Sequence, residues 1–268
     1  MQSSGSRLAR GKYISRVTFV VDADAYDRFM GRYSAPLGPA FADFASIDAG
    51  QRVLDVGCGP GALTGELVRR AGAGSVAAVD PSPPFVAATR ERHPGVDVRQ
   101  APAEDMPFAG GTFDAALAQL VVHFMTDPLA GIREMARVTR SGGVVAACVW
   151  DLAGGQAPIS PLWAAARELD PDVDDESRRA GAREGHLEEL FAEAGLVSIE
   201  GAPLSVTVEH QSFEEWWEPF TLGVGPAGSY TASLDETARA RLRDRCRELL
   251  PPEPFSLTAL AWAARGIA

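Results

Sequence analysis

The run Val53-Leu54-Asp55-Val56-Gly57-Cys58-Gly59-Pro60-Gly61 constrains this chain more than any other stretch. A β-branched apolar segment at 52–56 leads straight into three glycines, and Leu63, Leu67 and Val68 then recur at helical spacing. Glycines at such a strand-to-helix turn allow a sharp bend and a close approach of ligand to backbone. In a doubly wound sheet the turn lies at the carboxyl end of the first strand, where ligands bind. Asp80 then closes a second strand at 75–79, and a carboxylate there accepts both hydroxyls of a ribose.

From Gln51 onward, short β-rich runs alternate with helical stretches. Residues 84–92 read as a helix, 96–99 as a third strand and 112–120 as a fourth. Asp127 and Pro128 read as the N-cap and first-turn proline of a helix carrying Leu129, Ile132, Met135, Ala136 and Val138 along one side. Ser141-Gly142-Gly143 turns the chain into an apolar run at 144–150, suited to a strand covered on both faces. This alternation predicts an α/β fold, a doubly wound, Rossmann-like, mostly parallel sheet. After a linker-like stretch at 151–158, helices are expected at 162–169, 187–194, 213–220 and 234–249, and strands at 197–199, 204–208 and 255–263. Gly223, Gly225 and Gly228 suggest a flexible loop suited to a lid. The expected organisation is an N-terminal tail over 1–22 and a single domain over 23–268, with a helical cap insertion at about 158–252 that holds the substrate.

A chain of 268 residues, 46% hydrophobic and 23% charged, suits one large globular domain. No apolar run approaches the length of a membrane span, and Arg7, Arg10 and Lys12 precede no signal-peptide core, so a cytoplasmic protein is expected. A net charge of -11 repels phosphate backbones, so neither nucleic acid nor membrane is an expected partner. Arg239, Arg241, Arg243, Arg245 and Arg247 alternate with acidic residues and read as a solvated helix. Three dispersed cysteines without zinc spacing point to a reduced compartment and no metal. Monomer and homodimer both stay open.

The glycine turn alone does not choose its ligand. Gly57, Gly59 and Ala62 also satisfy the G-x-G-x-x-G/A pattern, with Asp80 where an NAD ribose acid would be, so an NAD-dependent oxidoreductase is one alternative. Asp55 beside the ligand disfavours a pyrophosphate and suits a positively charged ligand.

Residues 53–61 resemble the first motif of the class I S-adenosylmethionine-dependent methyltransferases, of the small-molecule type that modifies ubiquinone and menaquinone precursors. The resemblance spans about 26–150. Asp80-Pro81-Ser82 resembles the second motif, and Ala103-Glu104-Asp105-Met106-Pro107-Phe108 the third, followed by Gly111-Thr112-Phe113-Asp114. EMARVTRSGG at 134–143 resembles the E-x-x-R-V-L-x-P-G-G stretch. The resemblance implies the seven-stranded class I fold, S-adenosylmethionine as cofactor, and methyl transfer to a small-molecule acceptor by in-line displacement, oxygen ranking ahead of carbon and nitrogen. It implies that Gly57, Gly59 and Gly61 shape the loop under the methionine half and that Asp55 helps hold the amino group. Asp80 would take the ribose hydroxyls, Pro81 would lie against the adenine face, Ala103 and Glu104 would reach the adenine edge, and Gln119 would approach the methionine part. The segment 26–33 resembles the one lying over the cofactor, which makes Met30 and Tyr33 cofactor contacts. Pro102 departs from the pattern, which has an acidic residue there. A non-catalytic S-adenosylmethionine-binding protein is the other alternative.

His123, just past the fourth strand on the ligand edge, is the candidate general base, its ordinary pKa of about 6.5 suiting the task. His210 is a second histidine placed to face the pocket, whereas His93 and His186 read as surface residues. Phe213, Trp216, Trp217 and Phe220 either line an apolar acceptor pocket or pack as core.

Overall fold

Short apolar runs buried along their whole length supply the central strands. In the computed structural model, which describes residues 23–268, these are β1 (Val53–Val56) and β2 (Val76–Asp80), each buried at every position. With β3 (Asp97–Gln100), β4 (Phe113–Gln119), β5 (Thr139–Trp150), β6 (Val197–His210) and β7 (Phe255–Ile267) they form one seven-stranded sheet in the order β3-β2-β1-β4-β5-β7-β6. The pairings from β3 through β5 are parallel, and β7 runs antiparallel to both β5 and β6. The expected doubly wound sheet is therefore present. Strand order reverses between β1 and β4, and the carboxyl edge there is where such sheets bind ligands.

A short helix α1 (Ala23–Tyr26), a π-helical turn Asp27–Gly31 and α2 (Arg32–Phe44) lead into the sheet. α2 packs against α3 (Ala62–Ala71) and across β4, β7 and β6. α4 (Pro83–Arg92) and α5 (Pro128–Val138) complete the first half. α5 begins as its sequence predicts: the Asp127 carboxylate accepts from Ala130 N at 3.0 Å, with Pro128 in the first turn. Phe41, Leu54, Leu117, Ile132 and Met135 are fully buried between these layers. Each such side chain contributes about 1.5–3 kcal/mol by leaving water.

The second half adds α6 (Ser160–Leu169), α7 (His186–Glu193), α8 (Phe213–Trp217), α9 (Gly225–Ser233) and α10 (Glu236–Leu249). It departs from the sequence reading in three places. The strands expected at 197–199 and 204–208 are one, β6, paired with β7 from Glu200↔Arg265 to His210↔Phe255. β6 is the last strand of the sheet, where Pro203 needs no ladder donor on its outer side. The stretch 158–252 is divided by α7 and β6, which belong to the sheet layers; the helices outside them are α6 on one side and α8 to α10 on the other, with α6 packed on α10. Residues 225–233 form α9 rather than an open loop. A Cβ on Gly228 would stand 2.8 Å from the Gly223 carbonyl carbon, so this glycine serves a close approach of backbones. The tail expected over 1–22 lies outside the described residues. Among the described residues, no helix is long and apolar enough to cross a membrane.

Candidate active site

The glycine loop crosses the carboxyl ends of β1 and β2. Gly57, Gly59 and Gly61 have φ of +69°, +53° and +98°, a region that penalises any side chain. Gly57 N and Cys58 N donate to Val79 O at 2.8 and 3.0 Å, tying the loop to the end of β2. A Cβ on Gly57 would lie 2.5 Å from both methyls of Val121, whereas one on Gly59 would meet nothing within 4 Å. Gly59 therefore faces open space.

One face of α4 holds the carbonyls of this loop. Thr89 Oγ1 donates to Gly59 O at 2.7 Å, Arg92 Nη1 to Pro60 O at 3.1 Å and His93 Nε2 to Gly61 O at 3.0 Å. These residues are spaced i, i+3, i+4, so they share a face. His93 is thus engaged with the loop rather than lying on the surface as expected. Arg92 also pairs with Asp27 at 2.7 Å, tethering the leading segment across a cleft lined by Gly31, Ala35, Pro60, Gly61 and Ala62.

Two buried acids sit beneath the loop. Asp55 Oδ2 accepts from Thr64 Oγ1 at 2.6 Å, joining β1 to the first turn of α3. Burial, reinforced by the nearby Asp80 charge, pushes its pKa up to about 7 against the pull of the Thr64 hydroxyl. Asp80 accepts from Ser82 N at 2.8 Å through Oδ1 and from Gly59 N at 2.9 Å through Oδ2. Burial raises it to about 6, and those two amides moderate the rise. Pro81 beside it is exposed, and Ala103 is buried.

At the end of β4, Gln119 Nε2 donates to Ser34 O at 2.9 Å. Gln119 Oε1 and Ser34 Oγ are both buried and have no partner among the described residues. Leu120 follows with φ +62°, a left-handed conformation strained for a branched residue, braced by its N–H donating to Cys148 O at 2.8 Å. The turn directs Val121 onto Gly57 and places His123 in a 3₁₀ turn, buried, its Nδ1 without a partner among the described residues. Burial first, and the Arg179 charge second, push His123 down to about 3. A general base works best with a pKa near the operating pH. His123 in this environment is a neutral, weakly basic ring, which argues against the base role expected of it.

Three further candidate residues have partners distant in sequence. Glu104 Oε1 accepts from Thr126 N at 2.8 Å and Asp127 N at 3.2 Å, so this carboxylate anchors the start of α5. Met30 Sδ accepts from Trp150 Nε1 at 3.3 Å at the end of β5. Tyr33 Oη lies 2.7 Å from His210 Nε2 on β6. Met30 and Tyr33 therefore line a small buried cavity of about 10 Å³ over β5, with Phe29, Ile159, Trp216 and Phe220. Phe29 meets Phe220 edge-on with centroids 5.4 Å apart, and Trp216 lies 4.7 Å from Phe220. Phe213 stacks on Trp217 beneath Arg247, and all four aromatic side chains of this group are buried.

Comparisons with known proteins agree with this geometry. Residues 54–147 match the family model described as a methyltransferase domain. An uncharacterized protein of Mycobacterium tuberculosis (strain ATCC 25618 / H37Rv) is 29% identical over 251 residues, covering 86% of this chain and 87% of that protein. The chloroplastic 2-methyl-6-phytyl-1,4-hydroquinone methyltransferase 2 of Oryza sativa subsp. japonica is 39% identical over 95 residues, 35% of this chain and 27% of that protein. Geranyl diphosphate C-methyltransferase from Streptomyces coelicolor A3(2), solved with Mg2+, geranyl diphosphate and S-adenosyl-L-homocysteine, has the same fold. It superimposes with TM-score 0.53 at 16% identity, covering 89% of this chain and 80% of that one. With its glycine loop, its two buried acids and its seven-stranded sheet, the chain carries a methyltransferase domain of the class I type, whose cofactor is S-adenosylmethionine.

Proposed function

We propose that this enzyme moves a methyl group to a small-molecule acceptor, with oxygen ranking ahead of carbon and nitrogen. The observation that carries the cofactor placement is the pair of orphaned polar atoms, Gln119 Oε1 and Ser34 Oγ, buried at the carboxyl end of β4. Buried acceptors without partners are costly, and a ligand ammonium supplies what they lack. Gly59, open on its Cβ side, leaves the loop free to lie against the same ligand. Asp80 is ionised at neutral pH, and each of its oxygens keeps a lone pair for a ribose hydroxyl beyond the amide it already accepts. Pro81 and Ala103 would flank the adenine, and Asp55 would favour the positive charge of the methionine half.

S-adenosylmethionine supplies an already activated methyl group. What remains for the chain is to hold the acceptor in line and exclude water. The molecules named for two similar proteins, a phytyl hydroquinone and geranyl diphosphate, each carry an apolar isoprenoid chain. The methyltransferase match covers the same glycine loop that kept the NAD-dependent alternative open, and leaves that alternative without support.

Calorimetric titration with S-adenosylmethionine, S-adenosylhomocysteine and NAD tests the assignment. Binding of the first two and not of NAD is expected. Asp80→Ala should weaken S-adenosylmethionine binding by about 1–3 kcal/mol through lost charge-assisted hydrogen bonds. Undiminished affinity in that variant would remove the ribose assignment, and binding of NAD alone would move the function to hydride transfer.

A further inference from the structure

The turn that ends β4 is braced from a part of the chain that the methyltransferase match does not reach. On one side Cys148 O holds the strained Leu120. On the other, Arg179 comes in from the segment 170–185 between α6 and α7. Its Nη1 donates to His123 O at 3.2 Å, and its guanidinium lies 5.5 Å over the Phe124 ring. His123 O belongs to the three-residue 3₁₀ turn Val122–Phe124, which is too short to satisfy that carbonyl from within. Strain such as that at Leu120 persists only where its neighbours over-determine the backbone, and Arg179 supplies the second brace.

Arg179 is itself held. Glu176, i−3 in the chain, places Oε1 3.7 Å from Arg179 Nε and accepts from Trp163 Nε1 of α6 through Oε2 at 3.2 Å. Glu176 is buried, whereas Arg179 is partly exposed. The charged groups around this carboxyl are Arg179 and Asp175 from its own segment and Arg167 from α6, which pairs with Asp175. Burial pushes Glu176 up to about 7; Arg179 and the Trp163 N–H oppose the rise, and Asp175 adds to it. Glu176 is therefore a carboxylate at pH 8 and mostly protonated at pH 6.

The opposite face of the turn meets the methyl-donor site. Val121 packs on Gly57 of the glycine loop, and Gln119 stands just before the turn, its Oε1 buried and without a partner among the described residues. Backbone 119–123 thus has the donor site on one side and Arg179 on the other.

We propose that Arg179 is a positioning residue of the methyl-donor site: held by the Glu176 carboxylate, it keeps the turn 120–124 seated on the glycine loop, so that S-adenosylmethionine binds less tightly when either side chain is removed. This rests on the donor placement proposed above.

The test is calorimetric binding of S-adenosylhomocysteine to the full chain at pH 6 and pH 8, in wild type, Arg179→Met, Glu176→Gln and the double variant, with urea midpoints on the same samples. At pH 8 each single variant should bind about fivefold more weakly than wild type, the worth of one partly exposed ion pair. The double variant should bind no more weakly than Arg179→Met, because both changes act through one guanidinium. Glu176→Gln removes a buried charge, so at pH 8 it should unfold at no lower urea than wild type while still binding less tightly; a purely structural role would move stability and binding together. Wild type should lose more affinity between pH 8 and pH 6 than either variant. The loss that the variants keep belongs to Asp55 and Asp80, raised to about 7 and about 6 beneath the loop. Arg179→Met binding as wild type at pH 8 would overturn the proposal, and a Glu176→Gln variant with wild-type affinity at pH 8 would overturn the role of Glu176. If Arg179→Met does not fold, Glu176→Gln decides alone, and wild-type affinity there overturns the whole proposal. Wild type that binds no S-adenosylhomocysteine at either pH overturns the donor placement instead, so the two failures are told apart.

Discussion

Gly57 carries two constraints at once: a positive φ and a contact with Val121 that leaves no room for a methyl group. Gly57→Ala should therefore destabilise the fold by about 2–4 kcal/mol, from backbone strain and overpacking together. Urea unfolding checks this, and a variant as stable as wild type would mean that Val121 yields freely. The glycines and Asp80 were legible in the sequence because their roles depend on local backbone and on the end of one strand. The partners of Glu104, Met30, Tyr33 and His93 are not legible there for the opposite reason. Tyr33 meets a partner 177 positions away and Met30 one 120 away, and no periodicity carries that information. His123 shows a third kind of limit: its position past β4 was readable, but the burial that depresses its pKa was not.

Among the elements, α5 shows how one helix start is secured twice. Asp127 caps it from within, and Glu104 accepts from two further amides ahead of it. Glu104→Ala should cost about 1 kcal/mol of stability, as loss of a cap does, and leave S-adenosylmethionine affinity within a few-fold of wild type. A large loss of affinity with unchanged stability would return Glu104 to the adenine site. The helices and strands of the first half follow their apolar periodicity closely. β6 did not, because Gly201-Ala202-Pro203 interrupts its alternation, and only its pairing with β7 makes those residues a strand. The face of α4 formed by Thr89, Arg92 and His93 was detectable in principle, since i, i+3, i+4 polar residues on a helix after the glycine loop are a readable pattern.

Over the whole molecule, buried ionisable groups oppose one another. Glu176, buried and bonded to Trp163 Nε1 at 3.2 Å, is raised to about 7 by burial, with Arg179 pulling it down. A carboxyl whose folded pKa is raised binds its proton more tightly in the folded state. Its contribution is favourable in acid and is lost as pH rises from the ordinary carboxyl range to about 7. His123 and His210, lowered to about 3 and about 4, act in the other direction and lose stability as pH falls below the ordinary histidine value. The two trends offset each other across mildly acidic pH. Glu176→Gln should remove one of them and gain on the order of 3 kcal/mol relative to wild type between pH 4.5 and pH 8. Urea midpoints at both pH values decide it, and parallel shifts would mean that Glu176 does not titrate in this window. Arg92 touches both Asp27 and the loop carbonyl of Pro60, so the leading segment and the floor of the donor cleft share a single half-exposed guanidinium. Such a pair is worth up to about 1 kcal/mol, so traffic under the segment is slowed no more than roughly fivefold. The residence time of the methyl donor is in that measure a property of the surrounding electrolyte, shortening as salt screens one arginine.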